Sequence, residues 1–352
     1  LDPGGRIVRF SHKILESDEG ASLEQDGAHT IAKEFLEEQQ QFDLGGYELI
    51  EWTSKERKAR IDHTFTYRRN GFKVGDDGHY RLEVLVQGDR VGRFREYLKV
   101  PETFSREYRE VRSRANFLTS VFSVFWLALV VAMLVVLIRA FKTQVLQWRT
   151  GKIVGILVAV ATAAGTLNSI PLVSFSFDTT SSTSAFLMLF LVTSLISAVM
   201  LGGVTCLAGV AGGAMGGQVL DSGRRDPLGR FSLRGLLSAD FLRSTAVGYG
   251  IAGAMLGYVT VFYMIGSQYF GVWVPADVSD YDNAFSTVIP WIYPLLVGLT
   301  AATMEEFFFR LLAITLLLKW LNRPWLAVLL PAIVWAFLHS NYPIEPIYTR
   351  GL

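Results

Sequence analysis

Residues 117–138, "FLTSVFSVFWLALVVAMLVVLI", run for 22 positions without a charged side chain. At about 1.5 Å of rise per helical residue, such a run crosses the ~30 Å hydrocarbon core of a bilayer. Backbone in lipid must satisfy its own N–H and C=O groups, so the run is predicted to be a membrane-spanning helix. Stretches at 153–173, 185–206, 244–265, 288–318 and 325–340 read the same way, which gives about six spans.

What precedes that run is a different kind of polypeptide. Residues 1–116 hold 20 of the 33 Lys/Arg and 22 of the 32 Asp/Glu, leaving 13 and 10 for residues 117–352. The shift marks a boundary near Asn116, with a small α+β soluble domain at 1–116 and a polytopic α-helical membrane bundle at 117–352. A net charge of +1 speaks against a nucleic-acid partner. The single cysteine, Cys206, excludes an intrachain disulfide and a cysteine-based metal site. The chain opens on Leu1 rather than Met and stops soon after a conspicuous histidine, so it reads as a fragment of a longer protein, truncated at its C-terminus.

In the soluble part, Ala28, Ile31, Ala32, Phe35 and Leu36 fall at i, i+3, i+4, i+7 and i+8, one apolar face of a helix. Ile61, His63, Phe65 and Tyr67 alternate, as do Tyr80, Leu82, Val84 and Val86, and Gln87-Gly88-Asp89-Arg90 turns the chain into a further strand. The expectation is one helix on about three antiparallel strands, closed by a helix through Phe104, Tyr108 and Val111. His12, His29, His63 and His79 have no metal-ligand spacing, and "HKILE" reads as a solvated His/Glu pair. The domain offers no catalytic constellation; a sensor, partner-binding or substrate-presenting role, with a ligand of its own, stays open.

Orientation follows from Lys and Arg in the short loops. The first span is a tie, with Arg106, Arg109, Arg112 and Arg114 before it and Arg139, Lys142, Arg149 and Lys152 after it. Residues 221–243 carry Arg224, Arg225, Arg230, Arg234 and Arg243, which places that loop in the cytoplasm. Residues 174–184 and 266–287 carry no Lys or Arg, and the latter has Asp277, Asp280 and Asp282. Counting back, the N-terminal domain is expected outside the cytoplasm of a multi-pass protein of the plasma membrane.

Within the six expected spans the formal charges are Glu305, Glu306 and Arg310. A charge at bilayer depth costs at least ~2.5 kcal/mol on insertion scales, and such residues mark function. Glu306 and Arg310 stand at i, i+4 and can pair on one helix face. Glu305 is rotated by about 100° from Glu306 and lacks that partner. One carboxylate neutralised and one left over suits general-base chemistry. His339 is the histidine of the membrane part. Glu305 lies 17 residues before Asn322 and His339 lies 17 after it. Two antiparallel helices joined at Asn322 therefore carry Glu305 and His339 to about the same depth, with Pro331 able to kink the second.

Glu305-Glu306-x-x-x-Arg310, followed on the next span by Trp335-x-x-x-His339, resembles the first two motifs of the CAAX protease and bacteriocin-processing family. These are glutamate-dependent intramembrane proteases, with the type II CAAX prenyl endopeptidases among them. The second motif usually opens with Phe, where this chain has Trp335. The resemblance covers roughly 240–352. It implies an intramembrane endopeptidase in which Glu305 activates the hydrolytic water. His339 would assist that water or stabilise the developing oxyanion, and Glu306 and Arg310 would support the site. It implies a membrane-embedded or lipidated protein substrate, prenylated in CAAX-type cases, and a further His and Asn on a helix beyond residue 352. Glu305 and His339 are too few ligands for a catalytic zinc, which normally takes three from the protein. Catalysis without a cofactor is expected, with a divalent zinc as the alternative.

Other readings stay open. The three charges could form an ion-pair network that holds helices together. Intramembrane Glu, Arg and His also mark transporters and proton relays. A non-catalytic scaffold or immunity protein could keep the same fold. Phe307, Phe308 and Phe309 read as lipid and helix contacts, and Trp273, Trp291 and Tyr293 as an aromatic belt. Gly-rich 209–219 allows close helix approach or is a loose helix end. Asn341 and Tyr342 could reach the site or end the helix.

Overall fold

The computed structural model describes residues 2, 4–75, 77–143, 146, 148–219, 235, 237–273, 286–340 and 344–346. The chain forms two compact units, Leu1–Tyr108 with Pro171–Val192, and Arg109–Ile170 with Thr193–Leu352.

The first unit is built on β1 (Arg9–Ser11), α1 (Gln25–Glu34), β2 (Tyr47–Glu56), β3 (Ile61–Arg69), β4 (His79–Gln87) and β5 (Arg90–Lys99). The strands form one antiparallel sheet in the order β1-β5-β4-β3-β2. Alternation puts Phe65, Tyr67, Leu82, Val84, Val86 and Phe94 on one face, where Ala28, Ala32, Phe35 and Leu36 of the first helix and its π-helical extension cover them. Each large side chain fully buried there contributes about 1.5–3 kcal/mol. Gly88, at φ 65°, opens the two-residue turn between β4 and β5, a conformation glycine adopts without steric penalty.

The sheet has five strands rather than about three. β1 is only three residues long, and β2 is an edge strand whose alternation is masked by Glu48, Glu51, Lys55 and Glu56. "HKILE" is not helical. That segment lies where Arg60 donates to the carbonyls of Leu15 (2.8 Å) and Asp18 (2.7 Å). Arg60 and Arg57 both reach the Asp62 carboxylate at 2.9 Å, and the Arg60 and Asp62 side chains are each 1% exposed.

The helices that follow are α2 (Glu102–Lys142), α3 (Trp148–Asn168), α4 (Ile170–Ser174), α5 (Thr183–Val219) and α6 (Ala239–Tyr269). The closing helix expected around Phe104 is not separate; it runs on without a break into the apolar 117–138 stretch. Among the described residues, 4 helices are long and apolar enough to cross a membrane: Glu102–Lys142, Gly151–Asn168, Thr183–Gly216 and Ala239–Tyr269. The last two expected spans are shaped differently. Residues 292–321 form α7 (Ile292–Glu305), a π-helical segment (Glu306–Ile314) and α8 (Thr315–Leu321). They are followed by the 15-residue α9 (Pro324–Leu338).

In the second unit, Met133 and Val136 of α2, Ala208, Ala211 and Met215 of α5, and Phe308, Leu312 and Leu316 of the broken helix form one buried cluster. Glycine sets the spacing. A Cβ on Gly202 would lie 2.5 Å from the carbonyl oxygen of Gly155, and one on Gly212 would lie 2.7 Å from Leu311 Cγ. Of the Gly-rich 209–219 stretch, Gly209 and Gly212 thus face Phe307 and Leu311 of the π segment. Asn168 fixes the entry to α7: its Oδ1 accepts from the Ile289 N–H (2.7 Å) and its Nδ2 donates to the Ile289 carbonyl (3.2 Å). The loop arginines Arg224, Arg225, Arg230 and Arg234, the acids Asp277, Asp280 and Asp282, and Asn341 and Tyr342 lie outside the described residues.

Candidate active site

The site is a helical hairpin. Asn322 ends α8 in the left-handed conformation, φ 51° and ψ 32°, which a short polar side chain tolerates. Pro324 then starts α9 at a position that needs no N–H donor. The two arms run back to back, and Glu305 Oε1 comes to 3.8 Å from His339 Nε2.

Each side chain is aimed by its own element. His339 caps α9, and its Nδ1 lies 2.8 Å from the carbonyl oxygen of Trp335, one helical turn back. A carbonyl only accepts, so Nδ1 carries the proton, and in the neutral ring Nε2 presents its lone pair to Glu305. The Trp335 ring packs on the imidazole with centroids 4.5 Å apart. On the same helix, Phe337 stacks on Phe122 of α2 at 4.7 Å, which fixes that end of the hairpin.

Glu305 is the last residue of α7, directly before the π segment. In an α-helix, residues i and i+5 lie about 140° apart; a π turn, bonded i to i+5, brings them over one another. Glu305 and Arg310 accordingly line the same cavity of about 250 Å³, with Phe309 on one side and Pro331 and Trp335 of α9 on the other. Pro331 has no N–H for the carbonyl four residues before it, so α9 is locally unbonded beside the cavity.

Glu306 and Arg310 form an ion pair along the helix. Their side chains are 52% and 65% exposed, against 26% for Glu305, so the pair lies at the rim and Glu305 faces inward. The sequence therefore separated the two carboxylates as the structure does. It did not show that Arg310 also reaches the Glu305 cavity, since that depends on the π turn. The phenylalanines divide three ways: Phe308 is buried against Trp126, Phe307 meets Gly209, and Phe309 walls the cavity. The i, i+4 spacing of Trp335 and His339 was the available signal for the carbonyl that sets the tautomer.

Two acceptors 3.8 Å apart are too far for a direct hydrogen bond and well spaced for a bridging water. Such a water donates to both groups and turns a lone pair outward. Among the described residues no group of three His, Cys, Asp or Glu could hold a metal ion. Glu305 and His339 supply two donors where a catalytic zinc normally takes three from the protein, so the pair alone does not fit that metal.

Residues 287–351, which contain both glutamates, Arg310 and His339, match the family model described as type II CAAX prenyl endopeptidase Rce1-like. No curated protein and no solved structure matches the chain. The match spans 65 of the 352 residues, so it is this C-terminal part, with Glu305, Glu306, Arg310 and His339 in it, that is similar to that family.

Proposed function

We propose that this membrane protein is an intramembrane endopeptidase acting on a membrane-embedded or lipid-modified protein. The observation that carries the reading is the opposition of Glu305 Oε1 and the unprotonated face of His339 at 3.8 Å, beside a largely apolar cavity. Glu305 takes a proton from the bridging water as its oxygen attacks the scissile carbonyl. His339 accepts the water's other O–H at Nε2 and so orients the attacking lone pair toward that carbonyl. Glu305 returns the proton to the departing amine. Arg310, held by Glu306, supplies positive charge at the cavity rim. The reaction runs on the side chains alone, without a metal.

In this reading residues 292–321 and α9 are two further spans, six in all, with the N-terminal domain outside the cytoplasm of a plasma-membrane protein. The Arg-rich 221–243 loop and the Lys/Arg-free 174–184 and 266–287 loops support that orientation.

The test uses the protein purified in detergent or reconstituted, with a library of membrane-anchored and prenylated peptides. Cleavage that Glu305→Gln abolishes and a chelator leaves intact supports the mechanism as written. Cleavage lost to the chelator replaces the metal-free mechanism with a metal-dependent one. A wild type that cuts nothing, or a Glu305→Gln variant with full biological activity, overturns the protease reading in favour of a scaffold.

A further inference from the structure

A second cavity, of about 460 Å³, runs along α2 from Ala128 to Thr143. Its wall is apolar through Val131 and Val135, with Met215 of α5 opposite, and it ends among Arg139, Lys319 and Trp320. The two cations come from helices 180 positions apart in sequence (319 − 139) and share one end of the groove because the helices run in the same direction. Trp126 meets Phe308 at 6.0 Å at one level, and Arg139 and Lys319 follow at the next.

The dimensions match one leaflet. From Ala128 to Arg139 is eleven residues. That is about 16 Å of helix, close to half of the ~30 Å hydrocarbon core. A chain laid along the groove starts near the bilayer midplane and reaches headgroup depth at Arg139. Trp320, 64% exposed, sits where an aromatic ring bridges hydrocarbon and headgroups. The charge is one-sided as well: residues 139–152 carry Arg139, Lys142, Arg149 and Lys152 and no Asp or Glu.

We propose that this groove is a site for an anionic phospholipid, with one acyl chain along Val131 and Val135 and the phosphate between Arg139 and Lys319. Cations flanking a span are ordinary. What sets these apart is an intramembrane groove that leads a hydrocarbon chain to them, the arrangement by which basic pockets between helices select anionic headgroups. The site is separate from the Glu305 cavity and does not depend on the protease reading.

Native mass spectrometry of the chain in mild detergent tests it, with phosphatidylglycerol and phosphatidylcholine offered at equal concentration. The expected result is preferential retention of phosphatidylglycerol. Arg139→Gln should weaken that retention about fivefold, the ~1 kcal/mol contributed by one basic residue near an anionic surface. Arg139→Lys should keep most of it. Val135→Trp fills the groove, leaves every charge in place and should abolish retention; Val135 is 41% exposed, so the larger side chain leaves the packed core alone. Arg149→Gln, outside the groove lining, should change nothing. Equal retention of phosphatidylcholine overturns the proposal. So does a Val135→Trp variant that still holds phosphatidylglycerol, or an Arg149→Gln loss as large as that of Arg139→Gln, since either reduces the effect to general surface attraction. Displacement of the phospholipid by a prenylated peptide at equal concentration also overturns it and makes the groove part of a substrate path.

Discussion

Glu305 and His339 meet at 3.8 Å although 34 residues separate them, each 17 from the left-handed Asn322. The hairpin is the device that joins a carboxylate to an imidazole. Replacing Glu305 by Gln keeps the shape and removes the base. Peptide hydrolysis should fall by roughly 10²–10⁴, the usual contribution of general-base catalysis. Turnover of a membrane-anchored peptide, with helical content followed by circular dichroism, reads this; unchanged turnover would remove Glu305 from the chemistry.

The Glu306–Arg310 pair makes a contrasting prediction. Both side chains are more than half exposed on a helix read as a membrane span, where removing one charge would strand the other at a cost of at least ~2.5 kcal/mol. Neutralising both, Glu306→Gln with Arg310→Gln, should leave the thermal unfolding midpoint nearly unchanged while lowering activity, because Arg310 lines the Glu305 cavity. A variant that unfolds would instead identify the pair as a helix-holding contact.

Two neighbouring glycines of α5 test whether packing positions the site. A Cβ on Gly212 would press on Leu311 of the π segment at 2.7 Å, whereas one on Gly213 meets nothing within 4 Å among the described residues. Gly212→Val should destabilise by about 1–3 kcal/mol through overpacking and reduce activity as the π segment shifts. Gly213→Ala should be neutral or stabilise by about 0.5–1 kcal/mol, since alanine loses less freedom in a helix. Equal behaviour of the two variants would contradict the close approach.

In the N-terminal unit, Asp62 is shared by Arg57 and the buried Arg60. Removing one partner of a buried pair strands the other charge, at a cost of about 3–5 kcal/mol. Asp62→Ala should therefore expose residues 12–20 and β3 to limited proteolysis, with a smaller effect for Asp62→Asn. Wild-type resistance in Asp62→Ala would show that water reaches Arg60.

His29 stacks on Phe65 at 4.9 Å, and burial holds its pKa below the ordinary 6.5, with Lys33 lowering it further against a weaker opposing pull from Asp26. A depressed histidine is neutral in the folded unit and takes up a proton more readily once unfolded. The stability this brings is complete above about pH 6.5 and is lost as pH falls through the lower folded value. Hydrogen exchange in α1 and β3 should accelerate between neutral and mildly acidic pH, and His29→Phe should flatten that dependence. An unchanged pH profile in His29→Phe would assign the acid response to other groups.

Much of this protein was legible in one dimension because its strongest signals are local. A charge-free 22-residue run must hydrogen-bond to itself in lipid. The spacing of Ala28, Ala32, Phe35 and Leu36 prescribes a helix face, and the order Glu305, Glu306, Arg310 already tells the paired carboxylate from the other. Equal counts on either side of Asn322 forecast the Glu305–His339 depth match, since rise per residue is nearly constant in a helix. What sequence did not carry is what long-range packing decides. β1 exists through hydrogen bonds to the distant β5, and β2, an edge strand paired with β3, has its alternation masked by charges. The π turn after Glu305 coincides with the close seating of Leu311 on Gly212, and the partner in that contact lies on another helix. Only that turn brings Arg310 round to the cavity of Glu305, and only the joint packing of α2, α5 and α8 brings Arg139 and Lys319 to one groove.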